Sequence, residues 1–170
     1  MNLPEPLWPR RLSDKVVLNV ATLGPLGRRL PAPGTWGSLA GLAYAWLIYR
    51  DDTLLAAAAE ILVGLYLAVG FCGEAARRMG RTDPGEINLD EFAVMPLCYL
   101  LWHGQNGWPD WAVLLAGFAL FRFFDIVKPL GIRRLQRLPG GWGIVLDDVA
   151  AALAACATLH LAAAGWAWVR

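Results

Sequence analysis

Two long apolar runs limit what this chain can fold into. Residues 54–73 contain one charged side chain, Glu60, and residues 149–169 contain none apart from the titratable His160. Each run approaches the roughly 20 residues that a helix needs to cross the hydrocarbon core of a bilayer. Three shorter apolar stretches lie at residues 36–49, 92–102 and 111–124. The pattern therefore predicts an all-α, membrane-embedded bundle of about five apolar helices, formed by residues 1–170 as a single domain.

Composition supports this class and excludes several others. Only 17% of the residues are charged, whereas a soluble domain has about 25%. The net charge of +1 and the lack of a long basic run argue against a nucleic-acid partner. The three cysteines lie in apolar stretches without CxxC spacing, so neither a disulfide framework nor a zinc site is expected. The first 15 residues contain no apolar run typical of a signal peptide.

The basic residues are distributed unevenly along the chain. If five spans alternate from a cytoplasmic N-terminus, 13 of the 15 lysines and arginines fall on the cytoplasmic side, and only Arg50 and Arg170 fall outside. This asymmetry is expected of a membrane-spanning protein, because basic residues collect in cytoplasmic loops. It predicts a multi-pass topology with residues 103–110 on the opposite side. The alternative is a single anchor at residues 149–169, with the rest of the chain lying on the membrane surface.

The first predicted cytoplasmic loop is proline- and glycine-rich. Residues 30–38 read LPAPGTWGS, and the motif contains two hydroxyls at the expected start of a helix, Thr35 and Ser38. One interpretation makes Thr35 a helix N-cap. The other uses the free backbone N–H groups and the two hydroxyls as a cradle for a phosphate. The motif alone does not distinguish between them.

The second loop concentrates negative charge. Residues 83–91 read DPGEINLDE and place four carboxylates just before an apolar stretch. A capping box of Asp83, Pro84 and Glu86 would account for two of them. On a helix beginning at Pro84, Glu86 and Asp90 would share one face, where like charges repel. Glu91 adds a further negative charge, so a bound cation is expected.

The third loop mixes both signs of charge. Arg122, Asp125 and Lys128 recur every three residues and could form a surface ion-pair ladder. Asp147 and Asp148 follow the glycine-rich segment GGWG and could cap the last helix. Glycines at that position also suit a close approach of the backbone to a ligand.

Taken together, the loops predict a metal-dependent site for phosphate chemistry. Half of the 14 acidic residues fall on one membrane face, and charge near hydrocarbon is retained for function by default. Oxygen ligands favour Mg²⁺, and His103 and His160 lie elsewhere. The predicted catalytic residues are Asp83, Glu86, Asp90, Glu91, Asp125, Asp147 and Asp148. All of these except Asp125 are also predicted metal ligands. The predicted substrate-binding residues are Thr35, Ser38, Arg122 and Lys128.

The mechanism expected from these residues is hydrolysis by a metal-activated water. The loops contain no serine or cysteine paired with a histidine base, which argues against a covalent nucleophile of that kind. Three helices of the five-span topology would point their positive N-terminal ends at the same face, which favours an anion. A lipid head group would reach the site while its tails stayed in the bilayer. The sequence therefore predicts a membrane enzyme that removes phosphate from a lipid.

The motifs also resemble those of the phosphatidylglycerophosphatase A family. That family shows the motifs PGTxGS, DPxEIVxDE, FRxFDIxKPxPI and GGxGIMxDDxxA. In the same order, this chain has PGTWGS at 33–38, DPGEINLDE at 83–91, FRFFDIVKP at 121–129 and GGWGIVLDDVA at 140–150. It departs from the pattern at Asn88, Val94 and Gly131, none of which removes a carboxylate. The resemblance implies Mg²⁺-dependent removal of the terminal phosphate of phosphatidylglycerophosphate, giving phosphatidylglycerol, at the inner membrane of a bacterium.

The same residues allow two alternative functions. A cation-binding transporter would need ionisable residues deep within several spans, and Glu60 is the only obvious one. Another phospholipid head-group enzyme, such as a transferase, would also use acidic metal ligands, but a DGxxAR-type segment is lacking. The expected partners are therefore a phospholipid substrate and membrane lipid. The sequence indicates no oligomeric state.

Overall fold

The parts of the chain that the structure describes contain helices joined by turns and loops, and no strands. The computed structural model describes residues 3–51, 53–102, 109–129 and 131–169, apart from the side chains of Arg50 and Asp51. Residues 103–108 of the predicted far-side segment 103–110 lie outside these ranges, as does Arg170. The α-helices are α1 (Asp14–Ala21), α2 (Pro25–Arg29), α3 (Pro33–Asp51), α4 (Leu54–Met79), α5 (Leu89–Val94), α6 (Asp110–Val127) and α7 (Gly141–Val169). Three 3-10 helices cover Trp8–Arg11, Met95–Tyr99 and Ile132–Arg137. The all-α prediction is confirmed.

Two of the described helices, α4 and α7, are long and apolar enough to cross a membrane. The stretches at 36–49 and 111–124 lie within α3 and α6, which have 19 and 18 residues. Large apolar side chains stand exposed around these helices, as expected of a surface that faces hydrocarbon. They include Leu55, Leu62, Trp111, Leu161 and Trp168.

The third apolar stretch does not form the single helix that a spanning segment requires. Residues 92–102 divide between the end of α5 and the 3-10 helix Met95–Tyr99. Pro96 lies in the first turn of that 3-10 helix and lacks the N–H group that would continue the α-helical ladder. Val94, Met95 and Cys98 are fully buried against other helices. This segment therefore belongs to the protein core, and the expectation of five apolar helices is wrong at this stretch.

The starts of α3, α5 and α7 and the end of α6 meet at one end of the bundle. The hydrophobic core joins α3, α6 and α7 around the segment 89–99, and a second cluster packs α1 and α4 against α5 and α7. At the crossing of α4 and α7, a Cβ built on Gly141 would lie 1.8 Å from the carbonyl oxygen of Val69. Only glycine permits this approach, which places the start of α7 beside the last turns of α4.

Candidate active site

A stripe of glycines on α3 brings the start of α5 into contact with it. A Cβ on Gly34 would lie 2.0 Å from Glu91 Oε1, and a Cβ on Gly37 would lie 2.7 Å from the carbonyl oxygen of Asn88. Both distances are far below a normal contact. The two glycines of the PGTWGS motif therefore let the α5 backbone and the Glu91 carboxylate lie directly on the first turns of α3.

Glu91 is the centre of a buried hydrogen-bond network. Its Oε2 lies 2.5 Å from the Ser38 hydroxyl and accepts a hydrogen bond of 2.7 Å from Arg122 Nη1. The Ser38 hydroxyl is also 2.7 Å from the carbonyl oxygen of Gly34. Because a serine has one hydroxyl proton, it can donate to only one of these two acceptors at a time. Burial raises the pKa of Glu91, although the charge of Arg122 opposes that shift.

Arg122 and Lys128 continue the network from α6 to α7. Arg122 Nη1 donates to Asp125 Oδ2 at 2.9 Å, and Lys128 Nζ lies 3.4 Å from Asp125 Oδ1. Lys128 also donates to Asp147 Oδ2. Burial alone would lower the pKa of Lys128, but the hydrogen bond to Asp147 and its charge raise it overall. The predicted pairing of Arg122, Asp125 and Lys128 is present, but the three side chains are only 12–19% exposed, so the ladder is not on the surface. It extends to Glu91 and Asp147.

The backbone at Lys128 adopts an unusual conformation at the end of α6. Its φ of +47° lies in the left-handed region, which a side chain such as lysine rarely adopts. The Lys128 N–H bonds to the carbonyl oxygen of Phe124 at 2.8 Å and closes α6, and Pro129 prevents the helix from continuing. Such strain costs about 1–3 kcal/mol and is commonly found at functional sites.

Three aspartates of the predicted set are almost fully buried. Asp90, Asp147 and Asp148 are 6%, 2% and 4% exposed. Oδ1 of Asp90 and Oδ1 of Asp147 have no hydrogen-bond partner among the described residues. Burial and the neighbouring charge of Glu91 raise the pKa of Asp90 well above that of an ordinary aspartate. An unpartnered buried carboxylate oxygen is costly, so these atoms are candidates for binding a cation.

Asp83 and Glu86 are placed differently from the sequence prediction. The helix of this motif begins at Leu89 and not at Pro84, so the capping box and the shared face of Glu86 and Asp90 are both wrong. Glu86 lies in a turn and pairs with Arg81 Nη1 at 2.9 Å. Asp83 is exposed at the rim of the site. The rigid Pro-Gly pair and the burial of Ile87 favour a turn over a helix at this position.

The helix-cap interpretations of the other loops are also wrong. Helix α7 begins at Gly141, so Asp147 and Asp148 lie in its second turn, where a cap is not needed. Helix α3 begins at Pro33, which makes Thr35 its third residue and not its N-cap. Thr35 is half-buried in the first turn, and Ser38 is fully buried one turn further on. Ser38 therefore belongs to the network itself, whereas the structure gives Thr35 no such contact within the described residues.

In the sequence, Asn88 stands out only as a departure from a motif, but in the structure Asn88 links two helices. Asn88 is fully buried at the N-cap position of α5, but its side chain does not cap that helix. Its Nδ2 instead donates to the carbonyl oxygen of Pro33 at 3.1 Å, and its backbone N–H donates to Ala21 at 3.0 Å. Asparagine before a helix usually signals a cap. The tertiary contact could not be read from that signal.

The chemistry of the donor set fits Mg²⁺. The carboxylates of Asp90, Glu91, Asp125, Asp147 and Asp148 outnumber the two cations, and two of their buried oxygens are unpartnered. Among the described residues, no three acidic, histidine or cysteine side chains are close enough together to hold an ion by themselves. Mg²⁺ commonly needs only one or two carboxylates, because it retains waters or takes oxygens from a phosphate. The arrangement suits that mode of binding.

The fold and site define a class of protein: an apolar helical bundle with a buried network of acidic and basic side chains at one end. The particular family follows from comparison with known proteins. The family model described as Phosphatidylglycerophosphatase A matches residues 19–163, and the chain belongs to that family.

Individual relatives show the same likeness. The chain is 40% identical over 128 residues to a protein of Haemophilus influenzae named Phosphatidylglycerophosphatase A, covering 72% of this chain and 74% of the relative. It is 33% identical over 137 residues to a protein of Escherichia coli with the same name, covering 79% and 76%. A protein of Bacteroides thetaiotaomicron provisionally named a phosphatidylinositol-3-phosphatase is 34% identical over 124 residues, covering 71% and 76%. No solved structure matches the chain.

Proposed function

We propose that this protein is a Mg²⁺-dependent lipid phosphatase that hydrolyses the terminal phosphate of phosphatidylglycerophosphate to give phosphatidylglycerol. The observation that carries the proposal is the buried network of Glu91, Arg122, Asp125, Lys128 and Asp147 beside the unpartnered oxygens of Asp90 and Asp147. Family membership and the names of two relatives support the substrate.

Arg122 is the residue best placed to receive the phosphate. Its hydrogen bonds to Glu91, Asp125 and Ser38 all use Nη1. In the described part of the chain, Nη2 and Nε therefore remain available, and a guanidinium matches two oxygens of a phosphate. Glu91 and Asp125 orient the Arg122 guanidinium group by accepting hydrogen bonds from Nη1. Lys128 adds a point charge that Asp147 and Asp125 hold in place.

The acidic residues supply the other half of the chemistry. When bound, Mg²⁺ would contribute positive charge that offsets the phosphate oxygens and activates a water for attack on phosphorus. Asp90 and Asp147 would hold the ion through their unpartnered oxygens, with Asp148 and Glu91 close by. Asp83 would act from the rim, where an entering head group meets it. Glu86 is assigned no direct role, because it is paired with Arg81.

The location of the site favours a membrane-bound substrate. Helix ends form the network, while exposed apolar side chains surround the helices below it. A phospholipid could therefore place its phosphate at the network and keep its acyl chains in the bilayer. We infer a multi-pass protein of the bacterial inner membrane with the site facing the cytoplasm, because the basic residues of α6 and of the segment 132–137 lie at this end.

The test is a phosphate-release assay on the purified protein in mixed micelles. The substrates are phosphatidylglycerophosphate, phosphatidic acid and phosphatidylinositol 3-phosphate, each with Mg²⁺ and with excess EDTA. We expect turnover of phosphatidylglycerophosphate that requires Mg²⁺ and exceeds turnover of the other two lipids. Equal turnover in EDTA would exclude the metal mechanism. Preference for the inositol lipid would exclude the proposed substrate.

A further inference from the structure

A cavity beside the site has a different chemical character from the buried network. It has a volume of about 740 Å³ and lies between the end of α4, the segment 82–83 and the start of α7. Three arginines line it, against the carboxylates of Asp83 and Glu5. The arginines are Arg77, Arg81 and Arg137. Arginine guanidinium groups can donate to phosphate oxygens, so a lining of this kind suits a phosphate group of a larger ligand.

The three arginines are not equivalent. Arg77 donates to Glu74 at 2.8 and 2.6 Å, and Arg81 donates to both oxygens of Glu86. Arg137 has no carboxylate within ion-pair distance in the described part of the chain. It lies on the exposed 3-10 helix Ile132–Arg137, beside Gln136, whose Nε2 is 3.4 Å from Asp83 Oδ2. Arg137 therefore has a guanidinium free for a ligand.

The backbone of the cavity also favours negative charge. Gly140 and Gly143 line it at the start of α7, a helix of 29 residues. The first N–H groups of a helix lack carbonyl partners within it, and the helix dipole places positive charge at this end. Gly140 has a φ of +53°. A side chain at that position would be strained and would also meet the Glu5 carboxylate, 2.0 Å from its Cβ.

Asp83 connects this cavity to the buried network. It lines the cavity, and its charge is close enough to raise the pKa of Asp90. A ligand in the cavity would therefore lie next to the carboxylates at which hydrolysis is proposed. Phosphatidylglycerophosphate carries two phosphates, a terminal monoester and an internal diester that are joined by glycerol. Such a head group can therefore place its terminal phosphate at the buried network and its internal phosphate in the cavity.

We propose that the cavity lined by Arg77, Arg81 and Arg137 binds the internal phosphodiester of the lipid head group, with Arg137 as the direct contact. This inference rests on the proposed function, because it assigns the second phosphate of the same substrate. It makes Arg137 a specificity-determining residue. Phosphatidic acid has no such diester and cannot use the contact.

The experiment compares Arg137→Gln with Arg133→Gln. Arg133 is an exposed arginine on the same 3-10 helix and does not line the cavity, so it is a matched control. KM and kcat are measured with phosphatidylglycerophosphate and with phosphatidic acid. Loss of a hydrogen-bonded charge contact costs about 1.5–3 kcal/mol, so we expect Arg137→Gln to raise KM for phosphatidylglycerophosphate at least tenfold. We expect kcat for this lipid and KM for phosphatidic acid to stay within about twofold.

Arg137→Lys, which keeps the charge, should recover part of the lost affinity. Equal KM values for Arg137→Gln and Arg133→Gln would overturn the inference. A parallel rise of KM for both lipids would also overturn it, because the contact would then not be made to the diester.

Binding without turnover separates this inference from the proposed function. Short-chain phosphatidylglycerophosphate is titrated by calorimetry into detergent-solubilised protein in EDTA, with and without inorganic phosphate as competitor. We expect Arg137→Gln to weaken binding of the lipid at least tenfold and inorganic phosphate to compete poorly. Competition by inorganic phosphate as effective as that by the lipid would overturn the head-group assignment. If the wild-type protein binds the lipid in this way but cleaves none of the tested lipids, the proposed function alone fails.

Discussion

The carboxylate of Glu91 lies directly over the α carbon of Gly34, where a Cβ would come within 2.0 Å of Glu91 Oε1. This contact joins α5 to α3 and places Glu91 within hydrogen-bond distance of both Ser38 and Arg122. The first glycine of the PGTWGS motif is therefore required by the side chain it meets, and its role is more than the formation of a turn.

Gly34→Ala should accordingly damage the site although alanine favours helices. We expect activity to fall at least tenfold and the melting temperature to fall, because the Glu91 carboxylate must move away from Arg122. Gly165→Ala in α7 is the control, since a Cβ there meets nothing within 4 Å. Phosphate release and a thermal melt measure both effects. Wild-type activity in Gly34→Ala would contradict the assigned position of Glu91.

The carboxylates of the network should matter for turnover more than for folding. We expect Asp83→Asn, Asp90→Asn, Glu91→Gln and Asp148→Asn each to lower kcat by about a hundredfold or more, the scale seen when one electrostatic catalytic group is lost. Asp14→Asn is the control, because Asp14 is 82% exposed and pairs with Arg78. If the four variants lose only thermal stability and keep wild-type kcat, the carboxylates are structural.

Arg122 and Lys128 should act on the phosphate and not on the metal. We expect Arg122→Ala and Lys128→Ala to lose activity while calorimetry still detects Mg²⁺ or Mn²⁺ binding. Removal of Lys128 leaves Asp125 and Asp147 without their shared cation, so metal affinity should be unchanged or higher. Asp90→Asn should weaken metal binding itself. Loss of binding in Lys128→Ala as complete as in Asp90→Asn would make Lys128 structural.

The stability of the metal-free protein should depend on pH through Asp90 and Glu91. Both pKa values are raised in the folded protein, so folding favours the protonated carboxyls. Their contribution is complete below the ordinary carboxyl pKa of about 4 and is lost as pH rises through the raised values. In EDTA, the melting temperature should therefore fall between about pH 5 and pH 8, and Mg²⁺ should restore it at pH 8.

Asp90→Asn provides the check on this assignment. Asparagine carries no charge at any of these pH values, so the fall in melting temperature in EDTA should become smaller, and so should the gain on adding Mg²⁺. An unchanged pH profile in this variant would show that other groups cause the dependence.

The orientation of the bundle can be tested with described residues at its two ends. In a background without Cys72, Cys98 and Cys156, we expect Arg133→Cys to react with an impermeant reagent only from the cytoplasmic side. Thr53→Cys, at the start of α4, should react only from the opposite side. Reaction of both positions from the same side in sealed, oriented vesicles would favour the surface-lying bundle. Gln105, in the predicted far-side loop, lies outside the described residues.

Some features followed from local sequence and others did not. The helices α4 and α7 were predictable, because a nearly continuous apolar run of about 20 residues has few other stable conformations in a membrane. The core segment 89–99 was not, because apolar residues face protein and lipid equally well. Composition therefore does not separate a buried segment from a spanning one.

The sequence by itself determined which side chains are candidates for the chemistry, since carboxylates, arginine and lysine were all present in its motifs. Only the tertiary structure decided which of them are buried and which partners they have. It separated the half-buried Glu86, paired with Arg81, from the buried Asp90. It also joined Glu91 to Ser38 and Arg122 across 53 and 31 residues of chain. The physical reason is that charge and hydrogen-bonding capacity belong to a side chain, whereas burial and partners depend on how the helices pack.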